Sequence, residues 1–279
     1  MSEKELLLNT LLGLAMIVEA RDPYTGGHLW RVSQFSKLLA LQAGLSGREV
    51  ALCEIGGFLH DLGKVGVPDA ILGKPDRLTS TEYEIVKSHP LVGGKILASH
   101  PLSSLAVEAV MAHHERPDGA GYPYGLKGES IPLVARVVGI ADAFDAMTST
   151  RPYRKGMSTD KAKTLISEGL DRQFDKVLGT HFLSLSLASP LEHIVGHSEP
   201  GIPLLSCPSC TAPVVVRRAQ DEGAYVYCRV CGGESKLHKM TNGMKLEMTG
   251  GKGSAYDLAL DADQDLIGRM VAEVAPHVL

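Results

Sequence analysis

The sequence has no long hydrophobic run, no marked excess of either charge, no secretion signal and no dense array of cysteines. Each absence removes a class of protein. The longest apolar-leaning stretch, Leu6 to Ala20, is interrupted by Asn9, Thr10, Gly13 and Glu19. It is too short and too mixed to span a bilayer, and no cleavage-site pattern follows it. A cytoplasmic protein without membrane contact is the expectation. The formal net charge is −4 over 279 residues, which gives no general field for gathering polyanions. Nucleic acid is therefore not an expected partner, and a nucleotide or phosphate has to be caught by local groups. Five cysteines without a secretion signal do not make a disulfide framework. Internal repeats and low-complexity segments are also absent. What is present is an ordinary globular composition, 44% hydrophobic and 22% charged, long enough for one large domain or a medium one plus a small one.

Helical patterning dominates the first two thirds of the chain. Leu6 to Arg21 carries apolar residues at helical spacing and ends at Asp22-Pro23. Thr25 opens a second helix, carrying His28, that stops near Gly44. Ser46 and Glu49 form a capping-box pattern for a third, which delivers His60-Asp61 at its C-terminal end before Gly63, Gly66 and Pro68 break it. Thr79 or Ser80 starts a helix carrying Tyr83, Val86 and His89, and Ser103 or Ser104 starts the one that ends at His113-His114. Leu133 to Met147 carries Asp142 and Asp145, Arg151 to Arg154 is a turn, and Thr159 to Gly169 and Asp175 to Leu187 are closing helices. No alternating β pattern occurs before residue 203. Residues 1–190 are thus expected to be one all-α unit, and residues 191–203, with their Ser, Pro and Gly, a linker. Val214-Val215-Val216 and Ala224 to Tyr227 are short β-like runs within 204–250. In the tail, 251–279, the spacing of Leu266, Ile267, Met270, Val271 and Val274 predicts a terminal helix.

Chemistry is densest from His113 to Pro123. Two adjacent histidines end an apolar segment, and a loop of Gly, Pro and Asp turns the backbone away at once. Such a pair can be aimed at one point, as a metal site requires; alone, it could equally be a solvated pair at a helix end. The same placement beside Gly or Pro recurs at His28, His60-Asp61, His89 and Asp142. Only a helical bundle could bring residues so widely spaced together. Five histidines and two carboxylates are too many for one zinc ion. They suit two six-coordinate ions sharing a bridging carboxylate, with iron or manganese favoured by the mixed nitrogen and oxygen set. The other histidines, His100, His181, His193, His197, His238 and His277, have no such context.

Residues 21 to about 185 resemble the HD-GYP family, a branch of the HD-domain phosphohydrolases. The matching motifs are Arg21-Asp22-Pro23-Tyr24-Thr25-Gly26-Gly27-His28, His60-Asp61-Leu62-Gly63-Lys64, Ser88-His89-Pro90 and His113-His114-Glu115. They continue, in the family's order, with Asp118-Gly119, Gly121-Tyr122-Pro123, Ala141-Asp142, Asp145-Ala146 and Arg151-Pro152-Tyr153-Arg154. The resemblance implies an all-α HD-domain helical bundle that hydrolyses cyclic di-GMP to linear pGpG, with GMP as a further product left open. It implies that His28, His60, Asp61 and Asp142 hold one metal and His89, His113 and His114 the second, with Asp61 bridging. It also links the Gly121-Tyr122-Pro123 loop to substrate access and partner contacts, although Tyr122 as a plain packing aromatic is an equal reading.

Residue chemistry runs the same way. Two metals sharing a water lower its pKa enough to supply hydroxide to a phosphodiester. Lys64, one turn beyond His60, can face the same cavity and hold a phosphate oxygen, beside the bland reading of an exposed lysine at a helix end. Arg151 and Arg154 offer forked donors to phosphate or a guanine edge, or form a solvated basic turn. Asp145, one turn after Asp142, can orient a ligand histidine or cap a neighbouring element. Two positions depart from the family. Tyr24 stands where members with a third metal have glutamate, so two metals are expected; Pro117 replaces a tryptophan in a loop wall. No receiver or other sensor region precedes the catalytic stretch, so input is expected from elsewhere.

Cys207, Cys210, Cys228 and Cys231 form two C-x-x-C pairs separated by 17 residues. That spacing matches a zinc ribbon, in which one structural zinc supplies the folding energy, on the order of 10 kcal/mol or more; a thiol redox pair is the rival. Cys53 reads as a small core residue. Such ribbons bind protein or nucleic acid or simply brace a neighbour; a protein partner at the ribbon or at the Gly121 loop stays open, whereas Arg217-Arg218, Lys236 and Lys239 are too few to indicate nucleic acid. A homodimer through the first helix rests on nothing beyond its apolar face. The leading expectation is a metal-dependent cyclic-di-GMP phosphodiesterase. Its rivals are a non-hydrolytic cyclic-dinucleotide receptor or scaffold and a phosphohydrolase of another cyclic dinucleotide.

Overall fold

A computed structural model describes residues 1–151, 154–185, 191–241 and 243–279. Pro152 and Tyr153 of the arginine turn, and the expected helix end at Leu187, lie outside the described residues.

Helix α1 (Glu3–Ala20) begins at a capping box made by Ser2 and Glu5, and its apolar stripe buries Leu8, Leu11, Leu12, Ala15 and Val18. Helix α2 (His28–Gln42) starts at Gly27 rather than at Thr25. The expected box of Ser46 and Glu49 opens α3 (Gly47–Leu59). This helix is buried on nearly every side, and His60 caps its C-terminus. It is the axis of the bundle. A tight 3-10 turn, Leu62–Gly66, and the short α4 (Asp69–Leu72) follow.

One sequence expectation divides in two here. The helix through Tyr83, Val86 and His89 is α5 (Ser80–Val86) and then α6 (His89–Leu97), with Pro90 inside the first turn of the latter. Proline suits that turn because its missing N–H has no helical partner there. Similarly, Ser103–Leu105 is a 3-10 turn ahead of α7 (Val107–Ala112). Helices α8 (Leu133–Thr148), α9 (Thr159–Glu168) and α10 (Lys176–Ser184) complete the expected set.

The stretch expected as a linker is packed. Leu191, Ile194, Ser198, Glu199 and Ile202 are buried. Strand β1 (His197–Glu199), which lies before residue 203 where no strand was expected, pairs antiparallel with β2 (Ile202–Pro203). Strands of two or three residues are too short to show an alternating pattern. Strand β3 (Leu205–Ser206) pairs with β4 (Pro213–Val214), and β5 (Tyr225–Tyr227), β6 (Gly233–Met240) and β7 (Gly243–Lys252) form an antiparallel sheet. The predicted terminal helix is α11 (Gln264–Val278), capped by Asp263.

Two cores result. The larger lies among the helices and includes Leu266, Ile267, Met270, Val271 and Val274 of α11, which packs on α1 and α3. Burying side chains of this size contributes roughly 1.5–3 kcal/mol each, so α11 belongs physically to the bundle despite its distance in sequence. The smaller core gathers Ile202, Val214, Val216, Val226, Leu237 and Leu246 around the cysteines. Among the described residues, no helix is long and apolar enough to cross a membrane.

Candidate metal centre

The bundle brings all seven expected ligand side chains into one cluster; six come from the end of a helix or next to it, whereas Asp142, expected at such an end, lies inside α8. His28 opens α2, His60 and Asp61 follow α3, His89 opens α6, His113 and His114 follow α7, and Asp142 lies on α8. The helix ends also orient the rings. His60 donates its Nδ1–H to the carbonyl of Gly57 at 2.7 Å, and His89 donates to that of Val86 at 2.8 Å. His113 donates to Ala109 at 3.0 Å. His28 Nδ1 lies 2.7 Å from Asp145 Oδ2, which matches one of the two roles read for that carboxylate. With each Nδ1 committed to its partner, Nε2 is the atom that faces the centre, and at His28 a bound cation would take the place of a second proton.

This arrangement tests whether a cation fits. His28 Nε2 and His60 Nε2 are 3.3 Å apart, and His89 Nε2 and His113 Nε2 are 3.2 Å apart. Burial holds His89 and His113 below the usual imidazole range, His113 well below it, with neighbouring histidines adding to the shift at His113. Two neutral nitrogens facing each other in a dry site repel unless a cation lies between them. Ligand atoms bonded at about 2.1 Å to one ion lie roughly 3 Å apart, so the spacing suits a divalent metal. Three overlapping groups have ligand atoms within 4.8 Å of one another: His28, His60 and Asp142; His60, Asp61 and His113; and His89, His113 and His114. Asp61 faces both sides. Its Oδ2 is 3.5 Å from His28 Nε2 and 3.4 Å from His60 Nε2, while its Oδ1 is 3.5 Å from His89 Nε2. Asp142 Oδ1 lies 3.6 Å from His28 Nε2 and 3.8 Å from His60 Nε2.

The field within the cluster is uneven. Burial disfavours the charged form of His28, but hydrogen bonds to Asp145 and Asp61 outweigh it and push its pKa up to about 9. Burial pushes His114 down to about 3, against the attraction of Asp142. At Asp61 burial is overcome by Lys64 and His60, which hold the carboxyl well below its ordinary range. Lys64 Nζ sits 2.6 Å from Asp61 Oδ2, so the expected lysine does face the cluster.

A cavity of about 480 Å³ opens over the cluster, with Lys64, Arg151, Gly121 and Tyr122 among its lining residues. The Tyr122 ring stacks on His114 with centroids 4.7 Å apart. Pro123, joined to Tyr122 by a cis peptide bond, is not among the residues that line the cavity. Arg154 is turned elsewhere: its guanidinium donates to the carbonyls of Ala146 and Met147 at the end of α8. Tyr24 packs on the small core beside the cysteines. The sequence reading did not single out Arg31, which pairs with Asp145, or Glu115, which holds the loop after Tyr122. Tyr83 and Arg136 in the cavity wall were also missed as site residues. Only the adjacency of Glu115 to the histidine pair was a signal.

The four cysteines form a second cluster, with Sγ atoms within 4.8 Å of one another. Cys207 and Cys231 are 3.7 Å apart, and Cys210 and Cys228 are 3.5 Å apart. These separations are far beyond a disulfide bond of about 2.05 Å. They approach the roughly 3.8 Å edge of a tetrahedron with metal–sulfur bonds of about 2.3 Å. A larger cavity, about 740 Å³, lies between the helices and this module and includes none of the clustered histidines.

The family model described as "HD domain" matches residues 13–178. The chain is 44% identical over 168 residues to the cyclic di-GMP phosphodiesterase response regulator RpfG of Xanthomonas campestris, covering 60% of this chain and 44% of that one. It is 42% identical over 161 residues to a cyclic di-GMP phosphodiesterase of Thermotoga maritima, covering 57% and 44%. To the 3'3'-cGAMP-specific phosphodiesterase 3 of Vibrio cholerae it is 41% identical over 160 residues, covering 57% and 35%. The matches thus span less than half the length of these relatives. The solved structure of a cyclic GMP-AMP-specific phosphodiesterase from Vibrio cholerae shares the fold, with a TM-score of 0.50 at 18% identity over 67% of this chain and 50% of that one. With more than half of its length matched by the HD-domain model and the His60-Asp61 pair at the centre of the cluster, this chain belongs to the HD-domain family and carries the HD-GYP motif set.

Proposed function

We propose that the chain is a metal-dependent cyclic di-GMP phosphodiesterase. The observation that carries this reading is Asp61, whose two oxygens face different histidine groups within one buried cluster. His28, His60, Asp61 and Asp142 would hold one divalent ion, and His89, His113 and His114 a second, with Asp61 between them. The mixed nitrogen and oxygen donors favour iron or manganese. Such ions supply Lewis acidity to a phosphodiester and lower the pKa of a shared water. The chain's own groups complete the site. Lys64 and Arg151 place cationic donors in the cavity wall for phosphate oxygens. Tyr122, fixed against His114, offers a flat face to a purine ring. With Tyr24 on the cysteine side, two ions rather than three are favoured. The tetrahedral set of four thiols favours one structural zinc.

The relatives named as cyclic di-GMP phosphodiesterases support the substrate, and linear pGpG is the first product of opening its ring. The relative named as cGAMP-specific motivates a second reading, a mixed cyclic dinucleotide. Metal content and turnover of both dinucleotides, measured on one anaerobic preparation of wild type and Asp61→Ala, test these readings. Two iron or manganese ions and one zinc per chain are expected, with cyclic di-GMP hydrolysis abolished by the substitution. Tight binding without turnover would replace the enzyme by a receptor, and turnover of the mixed dinucleotide alone would change the substrate.

A further inference from the structure

Arg31 is a large charged side chain that is only 2% exposed. A guanidinium in a core is tolerated only when its donors are used, and these are used on three separate parts of the chain. Nε and Nη2 donate to the two oxygens of Asp145 on α8, at 2.5 and 3.1 Å, and Nη2 also reaches Ser149 Oγ at 3.2 Å. Nη1 donates to the carbonyl of Gly26, just before α2, and to the carbonyl of His197 on β1, each at 2.9 Å. Asp145 in turn takes the Nδ1–H of His28. A continuous set of hydrogen bonds therefore runs from β1, through Arg31 and Asp145, to a ring at the metal cluster.

The approach of the C-terminal module to this loop is close. Gly27 has φ +72°, and a Cβ there would lie 2.6 Å from Ser198 Cα. On Gly26 a Cβ would lie 2.5 Å from Val215 Cγ2, beside the cysteine module. Strand β1 is itself anchored. The carboxylate of Glu199 accepts from the backbone N–H of Arg218 at 3.0 Å and from Arg218 Nε at 3.3 Å, and it also pairs with Arg269 of α11. One buried carboxylate thus ties β1 to the cysteine module and to the C-terminal helix.

We infer that Arg31 is a positioning residue through which the docked C-terminal module sets the orientation of His28, so that metal affinity on the His28 side of the cluster depends on the module. The inference rests on the metal-binding reading. A bidentate pair fixes the plane of the Asp145 carboxylate, and that plane fixes the His28 ring through Nδ1. On the side of His89, His113 and His114, the rings of His89 and His113 are oriented by the carbonyls of Val86 on α5 and Ala109 on α7, neither of which belongs to the module. Losing a partner that orients a metal ligand typically weakens metal binding by about 10–100-fold.

The test is a Mn²⁺ titration of the full chain with its cysteine-bound ion retained, free Mn²⁺ being counted by electron paramagnetic resonance. Wild type is expected to bind two Mn²⁺. Arg31→Lys, too short to span Asp145 and His197 together, is expected to keep one site at wild-type affinity and weaken the other about 10–100-fold. Glu199→Gln, which touches neither the histidines nor Asp145, should weaken the same site by a smaller factor. Repeating both in a His114→Ala background, which cripples the other side, identifies the weakened site as that of His28. If Arg31→Lys does not fold, Glu199→Gln decides alone. Unchanged affinities, or equal weakening of both sites, overturn the inference and leave the metal reading intact. No Mn²⁺ bound by wild type overturns the metal reading itself, and the inference with it.

Discussion

Glu115 is buried directly after the histidine pair, and its two oxygens accept from the backbone N–H groups of Tyr124 and Leu126 at 2.7 and 2.9 Å. It holds the segment that follows Tyr122 and so steadies the ring stacked on His114. Glu115→Ala leaves two donors without their acceptor and should cost about 2–4 kcal/mol, measured by urea denaturation, with a raised KM for substrate. Glu115→Gln keeps one acceptor oxygen and should lose about half as much; equal losses would show that charge, not geometry, holds the loop. Cys53 gives a pH-dependent prediction. Burial pushes its thiol from 9.0 up to about 12. The folded state favours the neutral thiol, so this contribution is complete below about pH 9 and is lost as pH rises from 9 towards 12. At pH 10.5 wild type should lose about 2 kcal/mol relative to Cys53→Ala, beyond any difference at pH 8. Parallel urea midpoints for the two proteins at both pH values check it. At this scale the seven clustered histidines and aspartates were legible because each sits in a recognisable motif, six of them beside a turn and Asp142 within a helix. Arg31, Glu115 and Glu199 were not. Their roles come from partners that only packing brings near, such as the His197 carbonyl for Arg31, and no periodicity marks a buried charge.

The 3-10 turn Leu62–Gly66 is pressed against α6, with Asp61 just ahead of it and Lys64 within it. A Cβ at Gly63 would overlap the carbonyl oxygen of His89 and lie 2.5 Å from the backbone nitrogen of Gly93. Both obstacles are backbone, so no rotamer change relieves them. Gly63→Ala should cost more than about 3 kcal/mol and lower metal content in whatever fraction folds. Wild-type stability and metal content in this variant would show that α6 can slide away. Element boundaries were harder to read than element identities. Pro90 signals a stop when taken as the end of α5 and a start when taken as the first turn of α6, and sequence does not distinguish the two. Arg154 likewise has two suitors. Its forked donors match phosphate, but the carbonyls at the end of α8 are nearer and unpaired by helical bonding, and they take it.

Across the whole molecule, the large and small cores meet along a seam that holds the cavity of about 740 Å³. Trp30, the single tryptophan of the sequence, is 4% exposed and lines that cavity together with Val214, Val215 and Val216. If the four thiols hold the proposed zinc, displacing it with a mercurial reagent should open the seam and shift Trp30 emission to longer wavelength. Unchanged emission would show that the module stays docked without its ion. The two-part plan was legible because the cysteine spacing stands apart from the helical patterning. The docking was not, since residues 191–203 have the composition of a linker while their backbone and Glu199 make the joint. Helix α11 completes a core that α1 and α3 begin, yet about 240 positions separate Ala20 from Gln264. On a ribosome adding roughly 5–20 residues per second, that interval lasts about 12–50 s. Through all of it the apolar face of α1 awaits its cover, and that of α3 waits through about the last 205 positions, so the nascent chain carries exposed apolar surface until its final helix emerges.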